Sequence, residues 1–367
     1  MKAWYQPTYD SNVTRLSTTL YRVVTAIVSL TLITITFVQD SHATGTWTRQ
    51  KSGTLAWLHA LYFLDQNRGW VVGSGGSFLA TTDGGANWKA MRAPTEDNIR
   101  DLYFADELNG WLVCDRSIYL LRGKDEQRSY LLNTEDGGQT WRRVNMNGDP
   151  DARLFRILFA GMGRGWVFGE GGMIFVTSDG GQSWSKRRAP TRHVLFGGTF
   201  VDKTQLWLVG AGATIIQTHD GGETWRTGNV LGITDSVRFN AASFVDRARG
   251  WAVGNGGSVF LTADGGRAWQ AQDSGVEVNL NDVKFIDASE GWAVGDEGTV
   301  IHTRDGGFHW TAVTTNTSHP LDRIFFVNGD RGWAVGFGGT ILSFVSASRD
   351  GRPEPKQAPV LKGAGLH

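Results

Sequence analysis

Between residues 58 and 345 the apolar positions fall in short runs bounded by glycine, aspartate and asparagine, and none keeps a helical 3.6-residue period. The runs recur in step. Trp70, Trp111, Trp166, Trp207, Trp251, Trp292 and Trp333 each open an apolar stretch such as Gly69-Trp70-Val71-Val72-Gly73. A phenylalanine stands seven residues before every one of them: Phe63, Phe104, Phe159, Phe200, Phe244, Phe285 and Phe326. The tryptophans are 41, 55, 41, 44, 41 and 41 residues apart. A second motif, T-x-D-G-G-x-x-W, follows the first six, with aspartate and tryptophan always five apart: Asp83 and Trp88, Asp136 and Trp141, Asp179 and Trp184, Asp220 and Trp225, Asp264 and Trp269, Asp305 and Trp310. Asp-Gly between β-prone runs is a strong hairpin signal, because glycine supplies the positive φ the turn needs.

One unit therefore reads as four short strands. Strand one is Leu58–Leu64, strand two starts at Trp70, strand three is Ser77–Thr81 and strand four runs from Trp88. Gly73-Ser74-Gly75-Gly76 turns strand two into strand three, and the D-G-G hairpin turns strand three into strand four. Four strands per unit of about 40–45 residues is the signature of a β-propeller blade. Seven strand-one and strand-two markers exist but only six D-G-G hairpins, and the last unit ends at Ile341-Leu342-Ser343-Phe344-Val345. The missing outer strand is available in Gly45-Thr46-Trp47-Thr48-Arg49. The expectation is an all-β, seven-bladed propeller over residues 44–347 whose last blade is closed by the N-terminal strand, leaving no open ring edge. The D-G-G aspartates and their tryptophans are expected to be structural: the carboxylate and the threonine hydroxyl bond the turn's own backbone, and the indole packs.

The second unit departs from the pattern. Trp111 and Asp136 are 25 residues apart where the other units have 13, and Cys114-Asp115-Arg116-Ser117 replaces the Gly-Gly turn. The charged stretch Gly123 to Ser129 is expected to extend a hairpin into solvent as a tolerated insertion, with a partner-contacting finger as the alternative. After Val345 the tail, 348–367, is proline- and glycine-containing without apolar period and is expected to be disordered.

The first 43 residues stand apart from the repeats. Lys2, Arg15 and Arg22 precede an uncharged apolar run from Val23 to Val38, and Ser41 and Ala43 are small residues suited to cleavage after Ala43. This is the layout of a secretory signal peptide, with an uncleaved anchor as the alternative. At 16 residues the run would be about 24 Å long as a helix, short of a ~30 Å hydrocarbon core. The protein is expected in the periplasm or outside the cell, attached to membrane only if this segment is retained.

Composition narrows the chemistry. Lysine plus arginine and aspartate plus glutamate are both 36, so no global charge points to nucleic acid. Cys114 is the lone cysteine, which excludes an intramolecular disulfide and a cysteine-based metal site. The eight histidines show no metal-binding spacing, and no cofactor is expected. Gly-x-Gly-Gly at 73–76, 169–172, 254–257 and 336–339 joins strand to strand, so it is a hairpin turn and not a phosphate-binding loop.

T-x-D-G-G-x-x-W is the Asp-box, or bacterial neuraminidase repeat. Together with Gly-Trp-Ala-Val-Gly at 250–254 and 291–295 it makes the chain resemble the photosystem II stability and assembly factor family over residues 45–345. The resemblance implies an exported, non-enzymatic seven-bladed propeller that helps assemble a membrane complex by binding its new subunits, in the thylakoid lumen where the source is photosynthetic. It also implies binding arginines on one face.

In such blades the D-G-G hairpins share one face, while the Gly-rich turns and inter-blade connections share the other. The second face carries the candidate partner-binding residues Arg100, Arg153, Arg156, Arg187, Arg188, Arg192, His193, Arg238 and Arg323, with Arg142 and Arg143 nearby and Asp149 and Asp151 blunting the field. Arginine suits bidentate carboxylate contact and aromatic stacking at interfaces. The expected partner is a protein, either a membrane-complex subunit or a secreted protein, bound by a monomer.

The rival reading is a glycosidase, because sialidases and some xyloglucanases share the Asp-box. Phe155-Arg156-Ile157-Leu158 resembles a sialidase motif but lacks its proline and follows two Asp-boxes instead of preceding the first. The tyrosine nucleophile of sialidases lies late in the chain, whereas the last tyrosine here is Tyr130. A carbohydrate-binding propeller is weaker still, since the tryptophans sit at repeat-invariant packing positions.

Overall fold

The apolar runs pair into sheets as their spacing predicts. The structure is a computed structural model and describes residues 45–117, 119, 121, 123, 127–146, 152–231 and 237–347. The signal-like segment, Asp149, Asp151, part of the 123–129 stretch and the tail from 348 lie outside the described residues. Seven antiparallel sheets follow one another along the chain as the blades of a propeller. Blade 1 comprises Leu58–Phe63, Gly69–Gly73, Phe78–Thr81 and Lys89–Ala90 from inside to outside, and blades 2 to 6 repeat this order from inner strands beginning at Asn98, Leu154, Leu195, Phe239 and Leu280. Blade 7 takes its three inner strands from Leu321–Asn328, Arg331–Gly336 and Ile341–Val345, and Thr46–Gln50 supplies its outer strand in antiparallel register, Trp47 opposite Phe344. The described residues form no α-helix; in five blades the Gly-rich turn winds as a single 3-10 turn.

Two details differ from the sequence-based expectation. The outer strands are shorter than the apolar pattern suggests, two residues in blades 1, 4 and 6. In blade 5 a fifth strand, Asn229–Val230, pairs in parallel with Ala268–Gln272. The interval from Trp207 to Trp251 exceeds the common 41 by three residues, and the longer connection lies back along the blade's outer edge.

Apolar burial is divided among the blade interfaces, each with its own cluster. Strand pleating produces this division, because successive side chains of strand two point to opposite faces. Trp70 and Val72 pack against blade 2, while Val71 packs against blade 7. At four interfaces the strand-two tryptophan lies flat on the strand-one phenylalanine of the next blade: Trp70 on Phe104 at 3.9 Å between ring centres, Trp207 on Phe244 at 3.7 Å, Trp251 on Phe285 at 3.5 Å and Trp333 on Phe63 at 3.6 Å. Trp111, Trp166 and Trp292 meet theirs tilted or offset at 4.6–6.0 Å.

Four of these strand-two indoles also reach the next blade's Asp-box. Trp166, Trp207, Trp251 and Trp333 donate Nε1–H to the first glycine carbonyl of that box, Gly221, Gly265, Gly306 and Gly84, at 2.8–3.0 Å. Positive φ at the second glycine is required here, as at Gly266 with φ +87, where a Cβ would stand 2.7 Å from Trp207 Nε1. Not every indole finds such an acceptor. Trp292, which faces blade 7 and its missing Asp-box, Trp47 in that blade's outer strand, and Trp111, which faces the intact box of blade 3, all bury Nε1 without an acceptor among the described residues. Trp292 stacks instead on His302 of its own blade at 3.8 Å.

Trp251 is 1% exposed and joins blades 5 and 6 by both stacking and hydrogen bonding. Trp251→Ala is expected to cost about 3–5 kcal/mol, the range for truncating a buried large aromatic. Urea denaturation followed by fluorescence measures it; a loss below about 1 kcal/mol would contradict the inter-blade role.

Candidate functional site

The inner strands all carry the same defect. Each has one extra residue relative to strand two, a β-bulge, at His59, Arg100, Phe155, Phe196, Asn240, Asn281 and Asp322. Bulges re-aim side chains. These seven residues lie where the strands enter the ring beside the Gly-rich turns, whose first amides bond the preceding connection, as in Ser74 N–H to Trp57 O and Asp296 N–H to Asn279 O. The bulges therefore ring the mouth of the central channel on the face opposite the D-G-G hairpins.

At blades 3 and 4 the mouth is aromatic. Phe155 and Phe196 meet at 5.5 Å, with the guanidinium of Arg153 5.4 Å above the Phe155 ring and that of Arg238 5.6 Å above Phe196. Both phenylalanines are half-buried and Arg238 is exposed. Beside them the unusual turn of blade 2 buries Asp115, on which three arginines converge: Arg153 Nη2 at 2.8 Å, Arg100 Nη2 at 3.0 Å and Arg128 Nε at 3.6 Å. Burial works to raise the Asp115 pKa, but the bonds from Arg153 and Arg100 overcome it and hold the carboxyl ionised. Asp97 takes Arg116 at 3.2 Å and the Tyr130 hydroxyl at 2.6 Å, and Arg143 lies 4.2 Å above the Tyr130 ring. Four guanidiniums thus meet two carboxylates in this corner, which keeps it cationic. Cys114 is buried beneath it, its thiol pushed up by burial.

One residue beyond each bulge, the inner strands build a ring of charge inside the channel. Asp101 accepts the Ile157 N–H at 2.9 Å and Asp282 the Ile324 N–H at 3.0 Å, each tying its blade to the next. Arg156 donates Nε–H to Phe196 O at 2.9 Å. Arg323 spans blade 1 to reach Asp101 at 3.2 Å. Ala60, Gly197 and Ala241 occupy the equivalent positions elsewhere, and a Cβ on Gly197 would come within 2.3 Å of Asn240 O.

The nine arginine and histidine candidates are thus separated into three groups. Arg100, Arg153 and Arg238 gather at the mouth. Arg156 and Arg323 are not in surface connections: the strand register sends them into the channel, where they hold neighbouring blades. Arg187 and Arg188 belong to the outer strand Ser185–Arg188 and not to a connection, and the same holds for Arg142 and Arg143 in Arg142–Val144. Arg187 is turned to Glu223 in the Asp-box of blade 4, at 3.0 Å, so it serves the opposite face. Arg188 and Arg192 remain exposed along an open groove of about 700 Å³ on blade 3, and His193 bonds Thr214 through Nδ1 at 2.9 Å. Phe155 and Phe196 were missed. The signal available was their place: they fill the position that is polar in the other five blades.

The Asp-box carboxylates are engaged within their own hairpins. Asp83, Asp136, Asp179, Asp220, Asp264 and Asp305 each accept the threonine hydroxyl two residues back at 2.7–2.9 Å and the amide four residues on at 2.8–3.0 Å. Trp141, Trp184, Trp225 and Trp269 return Nε1–H to the second box glycine at 3.1 Å, whereas Trp88 donates to Gln50 and Trp310 finds no acceptor among the described residues. No group of three or more metal-ligating side chains occurs among the described residues.

Comparison with known proteins bears on all of this. The family model described as photosynthesis system II assembly factor YCF48 matches residues 86–192, 187–274 and 267–347. A curated relative, the photosystem II assembly lipoprotein Ycf48 of Synechococcus sp. (strain CC9902), is 25% identical over 124 residues, which span 33% of this chain and 34% of the relative. Among solved structures, YCF48 from Cyanidioschyzon merolae superposes with a TM-score of 0.67 at 21% identity, covering 82% of this chain and 98% of that one. A YCF48 described as bound to D1 peptide gives 0.68 at 22%, covering 82% and 97%. The GH74 xyloglucanase of Xanthomonas campestris gives 0.61 at 13%, covering 82% of this chain but 53% of the enzyme. These structural likenesses establish the propeller fold.

The carboxyls of the two faces titrate in opposite senses. Burial pushes Asp101 and Asp282 up to about 6, with Arg156 opposing the rise. A carboxyl raised on folding supports the folded state only while protonated, so this contribution is complete below about pH 4 and is lost as pH rises through 6. In the hairpins, the Thr140 hydroxyl holds Asp136 down at about 2; at Asp179 and Asp220, also at about 2, hydroxyl bonds from Ser183 and Thr224 outweigh burial. Their contribution is present above about pH 4 and is lost as pH falls toward 2. Asp282→Asn is therefore expected to raise the melting temperature at pH 7.5 and to leave it unchanged at pH 4. Thermal circular dichroism at the two pH values checks this, and an equal shift at both would refute it.

Proposed function

The chain belongs to the photosynthesis system II assembly factor YCF48 family, and from that premise we propose that it is an exported, non-enzymatic scaffold that holds a photosystem II subunit during assembly. A subunit polypeptide such as D1 is the proposed partner, bound at the channel mouth over blades 2 to 5. The observation that carries this reading is the Phe155–Phe196 pair flanked by Arg153 and Arg238, next to the cationic corner around Asp115. Half-buried aromatics beside arginine match the composition of protein-binding hot spots: the rings contribute area at low entropic cost, and the guanidiniums offer paired donors to carboxylates or carbonyls. Opposite the mouth, the hairpin carboxylates are already hydrogen-bonded within their own turns.

Support for a non-enzymatic role comes from the channel. Its two buried carboxyls, Asp101 and Asp282, are the nearest approach to an acid–base pair, and each accepts a backbone amide of the next blade. The GH74 likeness covers only half of that enzyme and carries the fold, not the chemistry. Purified protein is expected to hydrolyse neither sialosides nor β-glucans.

Fluorescence anisotropy with a labelled D1 peptide tests the binding face. Arg238→Glu combined with Arg153→Glu should weaken binding by about tenfold or more, since each charge-assisted contact is worth about 1.5–3 kcal/mol. Arg187→Glu, on the opposite side, should leave it within about threefold. Equal affinity of the mouth variant and the parent protein, with melting curves unchanged, would remove this face from consideration.

A further inference from the structure

The position just before the strand-one phenylalanine points into the channel in every blade, and six of the seven residues there are uncharged: Tyr62, Tyr103, Leu158, Thr199, Ser243 and Phe325. The seventh is Lys284. Its side chain is exposed to the channel's own space, with Asp282 of the same strand the carboxylate whose charge it feels, and it makes no direct hydrogen bond or ion pair among the described residues. An ammonium so placed stays available to an anion that enters the channel, because no carboxylate is bonded to it directly.

The space around it has a definite shape. A cavity of about 500 Å³ runs through the ring at this level. On the side of blades 7, 1 and 2 its wall is aromatic, with Tyr62 meeting Phe325 at 5.4 Å and Tyr103 at 5.2 Å. On the side of blades 4 and 5, Gly197, Gly198 and Ala241 leave the room that larger residues would take. The groups bearing charge toward the cavity are Lys284, Arg156, Arg323, Asp101 and Asp282. Arg323 is paired with Asp101, and Arg156 uses Nε on a backbone carbonyl while its charge also acts on Asp101 and Asp282. Three cations face two carboxyls, so the cavity is anion-seeking, with one apolar aromatic wall.

From this arrangement we infer that the central channel is a binding site for a small aromatic carboxylate. Its anionic end meets Lys284, supported by Arg156, and its ring lies against Tyr62, Tyr103 and Phe325. The pocket combines an apolar body with a few convergent polar groups, as small-molecule sites do. It lies below the channel mouth and does not depend on the partner proposed for that face. Because Asp101 and Asp282 share the cavity, protonating them removes the competing negative charge, so affinity is expected to rise as pH falls from 7.5 to 5.5. Tyr62 and Tyr103 stay neutral across that range, both raised by burial.

Isothermal titration of the full protein with sodium benzoate at pH 6, with benzamide as the uncharged counterpart, tests the site. Benzoate should bind with a submillimolar Kd and benzamide about tenfold more weakly. Lys284→Met should lose about tenfold or more of the benzoate affinity while Lys284→Arg retains it, with melting temperatures confirming that both variants fold. No heat from benzoate up to about 10 mM, or equal affinity in Lys284→Met, would overturn the assignment.

Discussion

The contact on which the structure depends is an indole from one blade lying on the phenylalanine of the next. No blade can bury its apolar surface alone, because pleating divides each strand-two run between two neighbours. The tryptophan answers this by filling the gap with a large flat ring while its N–H captures a glycine carbonyl of the adjacent Asp-box. The box in turn folds its aspartate and threonine back on the hairpin, so that the glycine carbonyl is presented in the same place each time. Packing, turn chemistry and hydrogen bonding thus repeat as one unit. The hydrogen bond is the less regular part of the unit: Trp292 and Trp47 beside the boxless closing blade, and Trp111 beside an intact box, bury Nε1 without an acceptor among the described residues, while the packing persists.

The inner strands share in this packing through their phenylalanines and leucines, but at the bulge and the residue after it the repeats diverge. The bulge residue and its successor vary from blade to blade, giving a mouth that is aromatic and cationic at blades 3 and 4 and polar elsewhere. The side chains that do hold the inner ring are idiosyncratic: Asp101 and Asp282 take amides, Arg156 and Asn281 reach carbonyls, and each bridges adjacent blades. The proposed partner contacts and the inter-blade locks therefore draw on neighbouring positions, and charge alone does not separate them.

This explains what was legible in the chain. Blade number, strand order and the ring closure through Trp47 follow from spacing, because repeated packing imposes repeated residues. The placement of the candidate arginines was legible only in part. Arg100, Arg153 and Arg238 lie at the mouth, whereas Arg156 and Arg323 turn into the channel and Arg187 reaches toward Glu223 of the neighbouring hairpin. A one-residue bulge decides such directions, and its place depends on pairing with strand two, which residue types alone do not reveal. Phe155 and Phe196 escaped notice for the same reason: beside so many buried phenylalanines, nothing but their register marks them as half-exposed. The extra length of blade 2 became meaningful only when Asp115 was seen gathering arginines from two blades.

The claim that the unrepeated mouth, and not the repeated hairpin face, is where a partner docks is tested most directly by hydrogen–deuterium exchange of the protein with and without a D1 peptide. Slowed exchange is expected in the segments around Arg153–Phe155, Phe196 and Arg238, with the Asp-box hairpins at 82–88, 178–184 and 219–225 unchanged. Protection confined to those hairpins, with the mouth exchanging as in the free protein, would contradict it.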